Sequence, residues 1–333
     1  MSVVQNRLLE NRERLGDKLP LATPYVLVVD PSSLCNLRCR FCPSGHEDMI
    51  AETGRSQQVM DFALYQKMID GLVEFDQKIR VLRLYKEGEP LVNPRFADMV
   101  RYGKDSGFIG RIDTTTNGVL FSPELNRKII DAGIDQINIS VNGINAEMMK
   151  QYTQRNIDFK LYVNNIKDLY QHKQNCLIYI KAIQDNLTDK EKQLFLNIFG
   201  EFADRIFLER LAPAWPDFVC DMIPEKFETG HYGQKIENRK VCPYIFYTIV
   251  VNADGSVSSC VGDWRHKQIL GYIEKNSLHT IWDGNDMQQM QVMHLRGEMD
   301  KFPMCKMCKV ITHGSLDNID ADAEAILERM KRC

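Results

Sequence analysis

No apolar run in this sequence approaches the length of a membrane span. The opening stretch MSVVQNRLLENRERLGDKLP is charged through most of its length and lacks the apolar core of a secretory signal. Charge of one sign is also missing: 42 Lys and Arg face 45 Asp and Glu, so no global basic field draws in nucleic acid. No internal repeat beyond a strand–helix rhythm and no low-complexity segment is present. These absences give the expectation of a cytoplasmic chain with neither membrane nor nucleic acid as a partner. Cysteine, by contrast, is plentiful, with 10 in 333 residues. In a reducing compartment metal ligation is favoured over disulfides.

Three of the cysteines, Cys35, Cys39 and Cys42, have the spacing C-x3-C-x2-C. They follow the apolar run Tyr25-Val26-Leu27-Val28-Val29, which reads as a buried strand. A loop leaving a strand end can bend three thiolates towards one point. Soft sulfur suits iron, so three thiolates can hold three irons of a [4Fe–4S] cube and leave the fourth open to a small molecule. Phe41 would shield such a cube from water. The alternative is structural zinc, which needs four ligands; His46 is the nearest local fourth.

From residue 25 to about 211 strands and helices alternate. Strands are expected at 25–30, 80–85, 110–115, 136–141, 177–183 and 205–211. Helices are expected near 60–74, 95–107, 123–132, 145–171 and 188–203. Phe195, Ile198, Phe199 and Phe202 show the helical period. Repeated strand–helix units imply an α/β fold with a parallel sheet. Six strands fit either an open doubly wound sheet or a partial barrel. Near residue 240 the pattern changes. Residues 245–251 and 256–260 flank Asp254-Gly255, a hairpin signal. A helix at about 277–296 and an amphipathic tail helix at 317–331 are expected after it.

A second set, Cys242, Cys260, Cys305 and Cys308, supplies four thiolates. Four ligands close a site, which can hold a cube or a structural zinc. Cys176 heads an apolar strand and reads as core. Cys333 is a poor fifth ligand. Cys220 lies in a loop beyond the sixth strand, which could face the barrel mouth. Its thiol is a hydrogen-atom donor candidate; an ordinary loop cysteine is the alternative. Glu209 and Arg210 close the sixth strand, where a charged group can bind substrate or take a proton. Alternation puts them on opposite faces, so one at most points inward. Tyr85, Lys86 and Lys181 are further candidates.

The motif C-x3-C-x-aromatic-C after the first strand resembles that of the radical S-adenosylmethionine (SAM) superfamily. The resemblance implies a partial (β/α)6 TIM-like barrel. It also implies SAM on the open iron, reductive cleavage to a 5′-deoxyadenosyl radical, and hydrogen abstraction from substrate. Gly88-Glu89-Pro90 is similar to the family's GGEP segment beside the methionine amino group, although Lys86 and Glu87 stand where glycine is frequent. Thr116-Asn117-Gly118 is similar to its T-N-G, which implies SAM contacts for Thr116 or Asn117. Residues 139–143 resemble ISLDG, with Ser140 on the SAM carboxylate or ribose and Asn142 replacing the usual aspartate. Arg155 resembles an arginine that pairs with the SAM carboxylate, a task its planar fork suits.

The second cysteine set lies within a pattern that resembles the auxiliary-cluster extension called SPASM, or its short form, Twitch. Its parts are Cys242-Pro243, Asp254-Gly255 before Cys260, Leu270-Gly271-Tyr272-Ile273, Ile281-Trp282, then Cys305 and Cys308. The implied organisation is an N-terminal extension over 1–22, a barrel over 23–235, a Twitch domain of hairpin and helix over 236–315, and a C-terminal helix over 316–333. The implied cofactors are SAM and two [4Fe–4S] clusters, one SAM-binding and one auxiliary. The spacing is most similar to that of aminocyclitol dehydrogenases within the family. The expected reaction is therefore oxidation of an alcohol on a sugar, aminocyclitol or polyol to a ketone, with flavodoxin or ferredoxin as electron donor. Epimerisation and thioether or epimer formation on a peptide are the alternatives. The short stretch before the first strand is too small for a separate peptide-binding domain.

Overall fold

The computed structural model describes residues 2–6, 13–185, 187–224, 226–314 and 317–331. Ten strands join in one sheet, in chain order β1 (Val3–Val4), β2 (Val26–Val29), β3 (Ile79–Leu84), β4 (Ile109–Thr116), β5 (Gln136–Val141), β6 (Leu177–Ile183), β7 (Arg205–Glu209), β8 (Thr248–Val251), β9 (Ser256–Ser258) and β10 (Ile269–Tyr272). Their spatial order is β1-β7-β6-β5-β4-β3-β2-β8-β9-β10. The run β2 to β7 is parallel throughout and is connected by helices, as a partial (β/α)6 barrel requires.

Alternation along the strands creates two faces. Leu27, Val29, Leu82, Leu84, Ile112, Ile137, Ile139, Ile178, Ile180 and Ile206 pack into the large core beneath the helices. The intervening residues face the barrel interior. In β3 to β7 they include Arg83, Asp113, Asn138, Ser140, Lys181 and Glu209, whereas in β2 they are Val26 and Val28, which form a separate apolar cluster with Val250. In β3 to β7 one face thus builds the fold and the more polar face lines the interior.

The C-terminal hairpin forms around Asp254-Gly255 as expected, with Gly255 at φ 80° and β8 antiparallel to β9. It is not a detached unit. β8 lies parallel beside β2, pairing Val26 with Thr248 and Val29 with Val251. The barrel sheet therefore runs on into the second cysteine region.

Several expectations needed correction. The helix foreseen over 145–171 is two helices, Ala146–Thr153 and Phe159–Gln171, because Gln154 turns left-handed at φ 54° and Asp158 caps the second. The helix foreseen over 277–296 breaks at Gly284 into Leu278–Trp282 and Asn285–Leu295. The tail helix is shorter, Ala323–Met330. Helix Glu47–Thr53 and strand β10 were not anticipated. Residues 1 and 7–12 of the N-terminal extension lie outside the description. What is described there is built in: Leu15 and Leu19 join a second core with Ile245, Phe246, Leu295 and Ile326. Arg329 Nε clasps the Leu19 carbonyl at 2.7 Å.

Candidate active site

The loop carrying Cys35, Cys39 and Cys42 leaves the C-terminal end of β2. Its backbone is docked, not free. Arg38 and Arg40 donate N–H groups to the Thr153 and Tyr152 carbonyls at 2.9 and 3.1 Å. The left-handed Gln154 donates its side-chain amide to the Arg38 carbonyl at 3.0 Å. The break in the helix after β5 is thus where the cysteine loop sits. A Cβ at Gly45 would run into the Cys39 carbonyl, and one at Gly88 into the carbonyls of Ser32 and Leu34. Glycine at 88 therefore serves close backbone approach to this loop.

Burial pushes the Cys35 thiol up to about 12 and raises Cys39 and Cys42 as well. Such thiols ionise when a cation takes the proton's place. His46 does not complete a zinc set: its Nε2 lies 3.0 Å from the Arg40 carbonyl and its ring packs on Phe218. Among the described residues no three His, Cys, Asp or Glu side chains converge closely enough for a single metal ion.

Cys242, Cys260, Cys305 and Cys308 line one cavity, walled also by Ile245, Met299, Met304 and Ile311. Burial raises all four thiols, to about 12 for Cys260. Four sulfurs around a volume, not at a point, suit a cube of several atoms. Cys333, read from the sequence as a poor fifth ligand, lies outside the described residues.

His294 was missed by sequence reasoning. It is fully buried, its Nε2 is 3.7 Å from Cys305 Sγ, and its Nδ1 has no hydrogen-bond partner. Burial pulls it down to about 4, so it is neutral at pH 7. Its apolar neighbours Met290 and Leu295 give a core signal, which hides a polar role.

The two cysteine sites share a buried ionic patch. Glu87 accepts from Lys86 Nζ at 2.5 Å, contacts Arg55 and lies 2.9 Å from His266 Nε2. Burial would raise the Glu87 carboxyl, but Lys86, His266 and Arg55 together hold it at about 2. Asp30, beside it, is pushed up to about 7 by burial and by the Glu87 charge.

The structure places the other sequence candidates unevenly. Phe41 lines a cavity with Val141, Gly143, Tyr152, Ile183 and Met222. Pro90 opens a short turn beside Glu89. Thr116 and Asn117 are buried and bonded to Glu89. Ser140 is half-buried at the end of β5 on the inner face, and Asn142 Nδ2 lies 3.8 Å from Cys39 Sγ. Arg155 is exposed, just beyond the docked Gln154. Cys220 packs on the Phe218–Trp264 cluster, while its neighbours Asp221 and Met222 reach Arg40 and the Phe41 cavity. Glu209 is the inward member of its pair. It is buried and bonded to Lys181 at 2.5 Å and to His231 at 3.0 Å. Arg210 turns aside to Asp185 at 3.3 Å.

Residues 29–194 match the radical SAM superfamily, and residues 242–309 match the SPASM iron–sulfur cluster-binding domain. The chain carries a radical SAM domain and a SPASM domain. Its cofactors are SAM and [4Fe–4S] clusters; both cysteine sets fit them by donor type, and the second also by the cavity its four sulfurs share. The chain is 26% identical over 306 residues to the tungsten-containing aldehyde ferredoxin oxidoreductase cofactor-modifying protein of Pyrococcus furiosus, covering 77% of this chain and 80% of that one. It is 32% identical over 141 residues to a GTP 3′,8-cyclase of Chlorobaculum tepidum, but spans only 39% of it. Among solved structures, BtrN in complex with AdoMet and 2-DOIA matches with TM-score 0.55 at 18% identity, over 89% of this chain and 97% of that one. The anSMEcpe enzyme with bound AdoMet matches with TM-score 0.59 at 16% identity, over 93% and 98%. Likeness at that identity shows a shared fold. No helix among the described residues is long and apolar enough to cross a membrane.

Proposed function

We propose that this radical SAM enzyme oxidises an alcohol on a polar small molecule, such as a sugar, aminocyclitol or other polyol, to a ketone. The observation that carries the reading is Glu209. It is a buried carboxylate on the inner face at the C-terminal end of β7, held by Lys181 and His231. Strand ends on that face are where barrel enzymes place reacting groups. Bound in the two cysteine sites, the cofactors supply a hydrogen-abstracting radical and an acceptor for one electron. Oxidation of a carbinol removes one hydrogen atom, one electron and one proton. Glu209 takes the hydroxyl proton, with Lys181 and His231 holding its orientation. Ser140, on the same inner face one strand away from Lys181, and Arg155 bind the SAM carboxylate or ribose in this reading. Gly88, Glu89 and Pro90 lie beside its amino group. A flavodoxin or ferredoxin supplies the reducing electron.

The test is a polyol panel deuterated at the carbinol carbon, incubated with SAM and a reductant. Deuterium in 5′-deoxyadenosine together with ketone supports oxidation. Solvent deuterium appearing in substrate without ketone would instead indicate epimerisation, with Cys220 as donor. Turnover of peptides alone would overturn the small-molecule class.

A further inference from the structure

We propose that Arg55, Glu87 and Lys86 form a fixed charge bridge between the two cysteine sites and set the reduction potentials of both clusters. All three side chains are 1% exposed. Glu87 is the centre, in contact with both cations. From there Arg55 leads to the first site: its Nη2 is 3.5 Å from Ser44 Oγ, two residues after Cys42. Ser44 Oγ in turn donates to the Glu87 carbonyl at 2.6 Å.

Lys86 leads the other way. Its Nζ donates to Asn252 Oδ1 at 2.7 Å and to the Asp263 carbonyl at 3.3 Å. The Asp263 N–H bonds the Cys260 carbonyl at 3.2 Å, and the Gly262 N–H points at Cys260 Sγ from 3.4 Å. His266 and Asp30 complete the patch around Glu87. Arg55 acts electrostatically on Cys42 and Lys86 on Cys260.

Three buried ions are costly to hold, and apolar residues of similar volume are often as stable. Their position gives them a use. Reducing a cluster adds one negative charge, which a nearby cation favours and an anion opposes, most strongly where water is excluded. Lys86 therefore raises the auxiliary potential, Arg55 raises that of the SAM-binding site, and Glu87 lowers both. These are positioning residues: they touch neither substrate nor the reacting atoms.

The experiment is a redox titration followed by electron paramagnetic resonance, on anaerobically reconstituted full-length protein without substrate. Its outcome is thus independent of which alcohol, if any, is oxidised. Glu87→Gln should make reduction of both clusters about tenfold more favourable, a rise of about 59 mV for one electron. Lys86→Met should shift the auxiliary cluster down by a similar factor, and Arg55→Leu the other one. Lys86→Arg keeps the charge and should restore the auxiliary value. Unmoved potentials in Glu87→Gln with full iron content would overturn the proposal, as would Lys86→Met shifting the wrong cluster. Should Glu87→Gln lose iron, the double variant Lys86→Met/Glu87→Met leaves no unpaired Lys–Glu partner. In it the two effects cancel at the auxiliary cluster, whose potential should stay near the parent value, while that of the SAM-binding cluster should rise by the same tenfold factor; an unmoved value at the SAM-binding cluster would refute the bridge.

Discussion

Glu89 accepts the Thr116 hydroxyl at 2.6 Å, so two residues expected to meet SAM separately are bonded to each other. The same carboxyl accepts the Asn117 N–H at 2.8 Å, and the Glu89 N–H reaches the Leu34 carbonyl at 2.9 Å. Glu89, through its side chain and its backbone N–H together, thereby ties the end of β4 to the cysteine loop after β2. Asn117 adds a second tie, donating its side-chain amide to Asn36 Oδ1 at 2.8 Å.

Thr116→Val keeps the shape and removes the donor. A buried oxygen left short of a hydrogen bond costs about 1–3 kcal/mol. The melting temperature of the variant should fall accordingly, while Thr116→Ser stays near the parent. Equal melting of Thr116→Val and parent would show that the bond contributes nothing.

Burial, working against three hydrogen bonds, pushes the Glu89 carboxyl up to about 7 from its ordinary 4.5. The folded chain therefore holds this proton more tightly than the unfolded chain. Its stabilising contribution is complete below about 4.5 and is lost as pH rises towards 7. Glu89→Gln should flatten that slope. Denaturant melts between pH 4.5 and 8 measure it, and an unchanged slope in the variant refutes the assignment.

Gly88→Ala drives a methyl group into the Ser32 and Leu34 carbonyls. Overpacking against backbone costs about 1–3 kcal/mol. The strain falls on the cysteine loop, so iron at the first site should drop while the Cys242–Cys308 site stays loaded. Total iron near half the parent value, with one surviving resonance signal, is the expected reading.

His294 must take up a proton inside a dry pocket if it is to charge. Its folded value of about 4 lies below the ordinary 6.5, so the stability tied to the neutral form is lost as pH falls from 6.5 through 4. His294→Leu should resist acid better across that window. It should also change the auxiliary cluster's signal, because the contact at Cys305 Sγ is gone. An unaltered signal would detach His294 from the cluster.

Glu209→Gln keeps the size and removes the base. Product formation should fall about 10²–10⁴-fold, while reductive SAM cleavage in the same samples persists. Loss of both together would point to a structural role for the Lys181 and His231 pairings.

The sequence by itself pointed to the cofactors, through motifs that resemble a known family. C-x3-C-x2-C at Cys35, Cys39 and Cys42, Gly88-Glu89-Pro90, and the spacing of Cys242, Cys260, Cys305 and Cys308 can be read along the chain without knowing how it folds. The alternating strands and their order were legible for the same reason, since periodicity records which face is buried. Tertiary structure decided what depends on residues far apart in the chain. Whether Glu209 or Arg210 points inward is a matter of register against β6. The continuation of the barrel into the hairpin rests on β8 lying beside β2, with more than two hundred residues between them in sequence. The Arg55–Glu87–Lys86 bridge and the closeness of His294 to Cys305 needed the same long-range folding. A buried ion or histidine leaves no periodic trace, because its partners are set by packing in space and not by spacing along the chain.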